Sequence, residues 1–182
     1  MADRGIIEEL KQDHDEVRQL LADVESATGE QRRDQFQRLV GELIRHEVSE
    51  EEILRPVSKR LAGEQIAKAR IQEESEAEGL LKEMEKLDPA TREFAQKLAK
   101  LRTEVERHAR AEETEEFPKV QQNEKPEQLQ RMARAYLAAK TLAPTRPHPS
   151  TPNTPMANLL VGPFAAVVDR ARDAVRQSVQ AS

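Results

Sequence analysis

Two pairs of residues in this chain carry the types and the spacing that metal chemistry needs. His46 and Glu50 stand four residues apart, and so do His108 and Glu112. Residues at that spacing share one face of a helix, one turn above the other. Each pair is followed by an apolar stretch and a proline, Ile53 through Pro56 in the first case and Phe117-Pro118 in the second. Two further ionisable residues, His14 and Glu74, fall where leucine or isoleucine is expected on neighbouring helical patterns. Six such groups buried without partners would be costly, because each charged carboxylate loses its hydration. A metal centre offsets that cost. Three imidazoles and three carboxylates make a mixed nitrogen and oxygen set that suits iron or manganese and also accepts zinc.

Positioning these groups requires long helices, and the apolar seams supply them. The first helical pattern follows Asp3, a candidate N-cap, ends near Gly29, and carries Ile7, Leu10, His14, Val17, Leu21 and Val24. The second covers roughly 31 to 54 and should stop before Pro56, with Phe36, Leu39, Leu43, His46, Glu50 and Ile53 on its seam. The third runs from about Glu64 to Leu87 and carries Ala67, Ile71, Glu74, Ala77, Leu81 and Met84. The fourth runs from about Ala90 to Phe117 and carries Phe94, Leu98, Leu101, Val105, His108 and Glu112. Steps of three and four with short loops predict an all-α protein, an antiparallel up-down four-helix bundle with a C-terminal helical extension. The two halves repeat one helical hairpin, with Glu74 in the place of His14.

The bundle should occupy residues 1–120, followed by an additional helix over 121–143. Residues 144–156 are rich in proline and read as an extended linker. Residues 157–182 read as an amphipathic helix, suited to a partner helix, a membrane surface, a homodimer or packing on its own bundle, with a polar face of mixed acids and arginines that weakens the membrane case. The remaining acids near the pairs, Glu47, Glu51, Glu52, Glu113, Glu115 and Glu116, are expected to turn away from the seams into solvent. Glu78, one turn after Glu74, is the alternative to it as a ligand. His148 lies in the proline-rich stretch and no role is expected of it.

Composition narrows the function. Of 182 residues 35% are charged, few are aromatic, and none is cysteine. Disulfides, iron–sulfur clusters and thiolate zinc sites are therefore excluded, which fits a reducing compartment. A formal charge of −5 argues against a nucleic-acid partner, since a phosphate backbone requires a positive surface. No apolar run is long enough to span a membrane and the N-terminus has no signal core, so the expected location is cytoplasmic.

The stretches Lys11 to Arg18, His46 to Pro56 and His108 to Pro118 resemble the hemerythrin-like, or HHE cation-binding, family, over roughly residues 3 to 118. The resemblance implies a four-helix bundle holding two iron ions bridged by oxide or hydroxide, with zinc or manganese as substitutes. It implies His14, His46, Glu50, His108 and Glu112 as ligands, with Glu50 and Glu112 bridging. The family usually has histidine in the third helix, where this chain offers Glu74. Some actinobacterial hemerythrin-like proteins are similar in this substitution and in the proline-rich tail. A harder, more anionic site favours the ferric state and turnover over reversible oxygen carriage. The expectation is a catalase- or peroxidase-like protein acting on peroxide or nitric oxide in oxidative or nitrosative defence, with no catalytic residue beyond the metal ligands. The alternative is a sensor or carrier that binds O2, NO or iron without turnover.

Overall fold

The structure is a computed structural model and describes residues 4–143. The extended linker and terminal helix expected over 144–182, His148 and the candidate N-cap Asp3 lie outside the described residues. Among the described residues the chain is all-helical. Helices α1 (Ile6–Ser26), α2 (Gly29–Ile53), α4 (Glu64–Met84) and α5 (Arg92–Ala111) are the long elements up to residue 111. The short α3 (Arg55–Leu61) and α6 (Phe117–Asn123) follow α2 and α5, and α7 (Pro126–Leu142) comes last. Helix α1 packs on α2 and on α5, α4 packs on α5, and α7 lies across α1 and α2. A four-helix bundle fits this set of contacts.

Helix α2 stops before Pro56 as the sequence suggests, but a new helix begins at once. Leu54 N still bonds Glu50 O at 2.8 Å, and Pro56 sits in the first turn of α3. There its missing N–H costs nothing, because first-turn amides have no helical acceptor. Pro118 does the same at the start of α6. The chain thus bends and continues at both places, carrying Arg55 and Phe117 inward. Gly63 turns the chain from α3 into α4 at φ 103°, a conformation that favours glycine. Thr91 caps α5 by accepting from Phe94 N at 3.2 Å.

Two apolar clusters hold the helices together. One gathers Val17, Leu21, Phe36, Leu43, Leu81 and Phe94. The other gathers Ile7, Leu10, Leu54, Phe117, Met132 and Tyr136. Along α1 the first cluster begins at Val17 and the second ends at Leu10, with Asp13 and His14 buried between them. The chain from Leu101 to Phe117 repeats this, with His108 and Glu112 between the clusters. A layer of ionisable side chains therefore divides the core. Each buried aliphatic side chain contributes about 2 kcal/mol by leaving water, and these clusters compensate for the polar layer they enclose.

Candidate metal centre

The seams deliver all six residues to that layer. His14, His46, Glu50, Glu74 and Glu112 are buried, and His108 is nearly so. His14 Nε2 lies 3.2 Å from Glu112 Oε2, and His108 Nε2 lies 3.3 Å from Glu112 Oε1. His46 Nε2 lies 3.4 Å from Glu50 Oε2, and Glu74 Oε1 is 3.9 Å from His108 Nε2. Donor atoms of His14, His46 and Glu112 all lie within 4.8 Å of one another, as do those of Glu50, His108 and Glu112. Glu112 belongs to both groups. Glu78 instead pairs with Lys82 at 2.9 Å.

A local widening of the fourth seam helps to build this arrangement. Glu112–Glu116 forms a π turn between α5 and α6. In a regular helix, four residues overshoot one turn by about 40°, so a long column of i, i+4 residues drifts off its face. The wider turn cancels that drift. Glu116, expected in solvent, is consequently fully buried.

Each imidazole is held from behind. His14 Nδ1 donates to Glu113 at 2.8 Å, and His108 Nδ1 donates to Glu73 at 3.1 Å. His46 Nδ1 donates to the hydroxyl of Tyr136 at 3.0 Å, and that hydroxyl donates in turn to Asp13. Lys140 Nζ is 2.7 Å from Asp13 Oδ1 and also pairs with Glu42. A carboxylate can only accept, so the proton of His14 and of His108 sits on Nδ1 and Nε2 faces inward. In metal sites generally, outer partners of this kind orient the ligating histidines.

The inward atoms have no such satisfaction. His14 Nε2, His46 Nε2, His108 Nε2, Glu50 Oε2, Glu74 Oε2 and both carboxylate oxygens of Glu112 are buried without a hydrogen bond. Leaving so many polar atoms unpaired in one core is unusual and costly. Divalent cations among them satisfy lone pairs of nitrogen and oxygen together, so the residues fit a metal centre.

Bound protons and Arg55 offset the charge of the buried carboxylates. Burial pushes the Glu50 carboxyl well above its ordinary range, and Glu112 adds to it while Arg55 opposes. Burial also lifts Glu74 to about 7 against the pull of Arg55 and His108. Burial favours neutral His108, but Glu112, Glu73 and Glu74 outweigh it and hold the imidazole well above its usual value. Metals displace such protons when they bind.

Several neighbours depart from the sequence expectation. Glu113 faces His14, Glu51 lies 3.5 Å from Arg55 Nε, and Glu52 and Glu116 are buried. Glu47 is half-buried beside the site, whereas Glu115 is exposed as expected. The solvated-face argument fails because α3, α6 and α7 cover faces that a four-helix pattern leaves open. Arg55, Asp13 and Tyr136 were not among the sequence candidates. Arg55 carries a readable signal, since it and Phe117 both precede the proline of their repeat.

This fold and this layer of histidines and glutamates agree with the comparison to known families. The hemerythrin HHE cation binding domain matches residues 5–120, and the chain belongs to that family. A relative described as an uncharacterized hemerythrin-like protein of Schizosaccharomyces pombe is 30% identical over 138 residues, covering 74% of this chain and 68% of the relative. A DNA nickase of Nostoc sp. is 28% identical over 140 residues, covering 76% of this chain. The match spans 40% of the nickase's own length. No solved structure matches. Tyr136 and Lys140 lie beyond the residues that the family domain matches. Among the described residues no helix is long and apolar enough to cross a membrane.

Proposed function

We propose that this chain holds two iron ions and acts on hydrogen peroxide or nitric oxide, as a defence protein against oxidative or nitrosative stress in a reducing cytoplasm. The observation that carries this reading is the set of buried imidazole nitrogens and carboxylate oxygens that face one another without hydrogen bonds. His14, His46 and Glu112 would hold one ion, and Glu50, His108 and Glu112 the other, with Glu74 at the second. The four long helices would run up and down as two antiparallel hairpins, so that each hairpin contributes one His-x3-Glu pair. Iron bound there supplies a redox couple and Lewis-acid polarisation, and the three carboxylates favour its ferric state.

The chain's own residues restrict what reaches the site. A cavity of about 20 Å³ adjoins His14, His46 and His108, with Val17, Leu43 and Ala77 among its walls. That is room for about one water-sized molecule. A small neutral ligand fits, and the apolar walls limit bulk water. Glu113, Tyr136 and Glu73 keep the three imidazoles aimed at the layer. A second reading, a sensor without turnover, is supported by the bond from His46 to Tyr136, which ties the site to α7. Nicking activity belongs to the Nostoc protein, and the −5 charge here argues against a DNA partner.

Metal analysis and peroxide assays test the proposal. The expected result is two irons per chain, a ferric charge-transfer band and rapid oxygen release from peroxide. A band that responds reversibly to NO or O2 without turnover would select the sensor reading. Absence of metal after expression in iron-rich medium, with melting unchanged by chelator, would sink both.

A further inference from the structure

The carboxylate half of the cage already contains a cation of the chain's own. Arg55 is 4% exposed. One terminal nitrogen bonds Glu74, lies 2.9 Å from Glu50 Oε1 and is 3.6 Å from Glu112 Oε1. The other donates to Glu116 Oε1 at 3.0 Å. Three of these four carboxylates belong to the ligand set proposed above.

The internal repeat makes the placement asymmetric. Arg55 stands nine residues after His46 and precedes Pro56, and Phe117 stands nine residues after His108 and precedes Pro118, so the two positions correspond. Phe117 stacks on His14 with ring centroids 5.8 Å apart. One backbone position thus brings an apolar ring to the His14 group and a guanidinium to the Glu50 group. A guanidinium beside the Glu50 position repels a divalent cation and occupies oxygens that the cation would use. A surface groove between α3 and α4 reaches Arg55, and Glu51 lines it. Glu51 Oε2, 3.5 Å from Arg55 Nε, and Glu116 offer the side chain partners outside the ligand set.

We propose that Arg55 is a built-in counter-cation, which neutralises the carboxylate half of the cage in the metal-free chain and makes the Glu50–His108–Glu112 position the weaker of the two for metal. The inference rests on the two-metal reading. Ions then load in order, the His14–His46–Glu112 position first.

Anaerobic calorimetric titration of the chelator-stripped full chain with Fe(II) alone tests this. The wild type should show two steps, the second weaker, and His14→Ala should remove the tight one. Arg55→Met should tighten the second step on the order of tenfold or more and lower the melting temperature of the metal-free chain. Should Arg55→Met fail to fold, Arg55→Lys keeps the charge but cannot bridge the carboxylates as the planar fork does. The gap between the two steps should then persist while metal-free melting falls. Equal steps in the wild type, a second step unchanged or weakened in Arg55→Met, or a closed gap in Arg55→Lys would overturn this inference and leave the two-metal reading standing. A wild type that takes up no Fe(II) would remove both.

Discussion

His46 and Tyr136, ninety residues apart in the chain, meet through a hydrogen bond of 3.0 Å. The imidazole Nδ1 donates to the tyrosine oxygen, whose own hydrogen goes to Asp13. A helix outside the family-matched residues therefore fixes the orientation of a histidine at the centre of the site. Tyr136→Phe keeps the ring in its apolar cluster and removes the acceptor. Metal affinity should fall by about 10- to 100-fold, and metal-free melting should also fall, because Asp13 and His46 Nδ1 lose a buried partner. Leu137→Ala on the exposed side of α7 is the control. Equal affinity in Tyr136→Phe and the control would show that the bond does not orient a ligand.

Glu74 and Glu78 lie one turn apart, and the structure separates them. Glu74 faces Arg55 and His108, whereas Glu78 pairs with Lys82. Glu74→Gln should therefore reduce bound iron or weaken its second equivalent, and Glu78→Gln should leave both unchanged. Metal content of the two purified variants decides the matter. Loss of iron in Glu78→Gln alone would reverse the assignment.

The pH dependence has a defined sign on each side. Burial raises the folded-state pKa of Glu74 to about 7, above its ordinary value of 4.5. The unfolded chain then gives up this proton first, so the metal-free fold loses stability as pH rises from 4.5 toward 7. Metal binding removes the same proton, so loaded protein should lack this decline and affinity should rise over the same window. Asp13 has the opposite sign. Burial raises its pKa, but His46, Lys140 and Tyr136 more than offset that and hold it at about 2, below the ordinary 3.8. Its contribution is present above 3.8 and is lost as pH falls toward 2. Thermal melts of both forms between pH 3 and 8 check these signs, about which a flat metal-free profile from 4.5 to 7 would be decisive for Glu74.

The six seam residues were legible because burial has a period. His14, His46, Glu50, Glu74, His108 and Glu112 stand where a bundle helix needs an apolar side chain, and the structure gathers them in one layer. Helix-forming composition and short loops likewise made the all-helical class readable. What was not legible depends on contacts between distant segments. The solvated-face rule placed Glu113 and Glu116 outside, because it could not see α6 or the π turn that covers and rotates them. Proline signalled a stop at positions 56 and 118, yet first-turn geometry let the helix resume. Tyr136 reads only as an apolar residue of its helix, since nothing local to it reveals His46.

The π turn at Glu112–Glu116 makes this part of the chain a counting device. Thr114 is exposed and its hydroxyl donates to Arg110 O, one turn back, at 2.7 Å. By side-chain chemistry it is dispensable. By number it is the residue the wider turn absorbs, because removing one residue there would let the segment close into an ordinary helix, whose three steps of about 100° cover nearly the same rotation as four steps of the wider turn. Glu116 would stay near Arg55, and Phe117 near His14. A one-residue deletion here should thus be tolerated where the same deletion inside α5 is not, and sequences aligned across it can differ by one residue in length while presenting the same side chains.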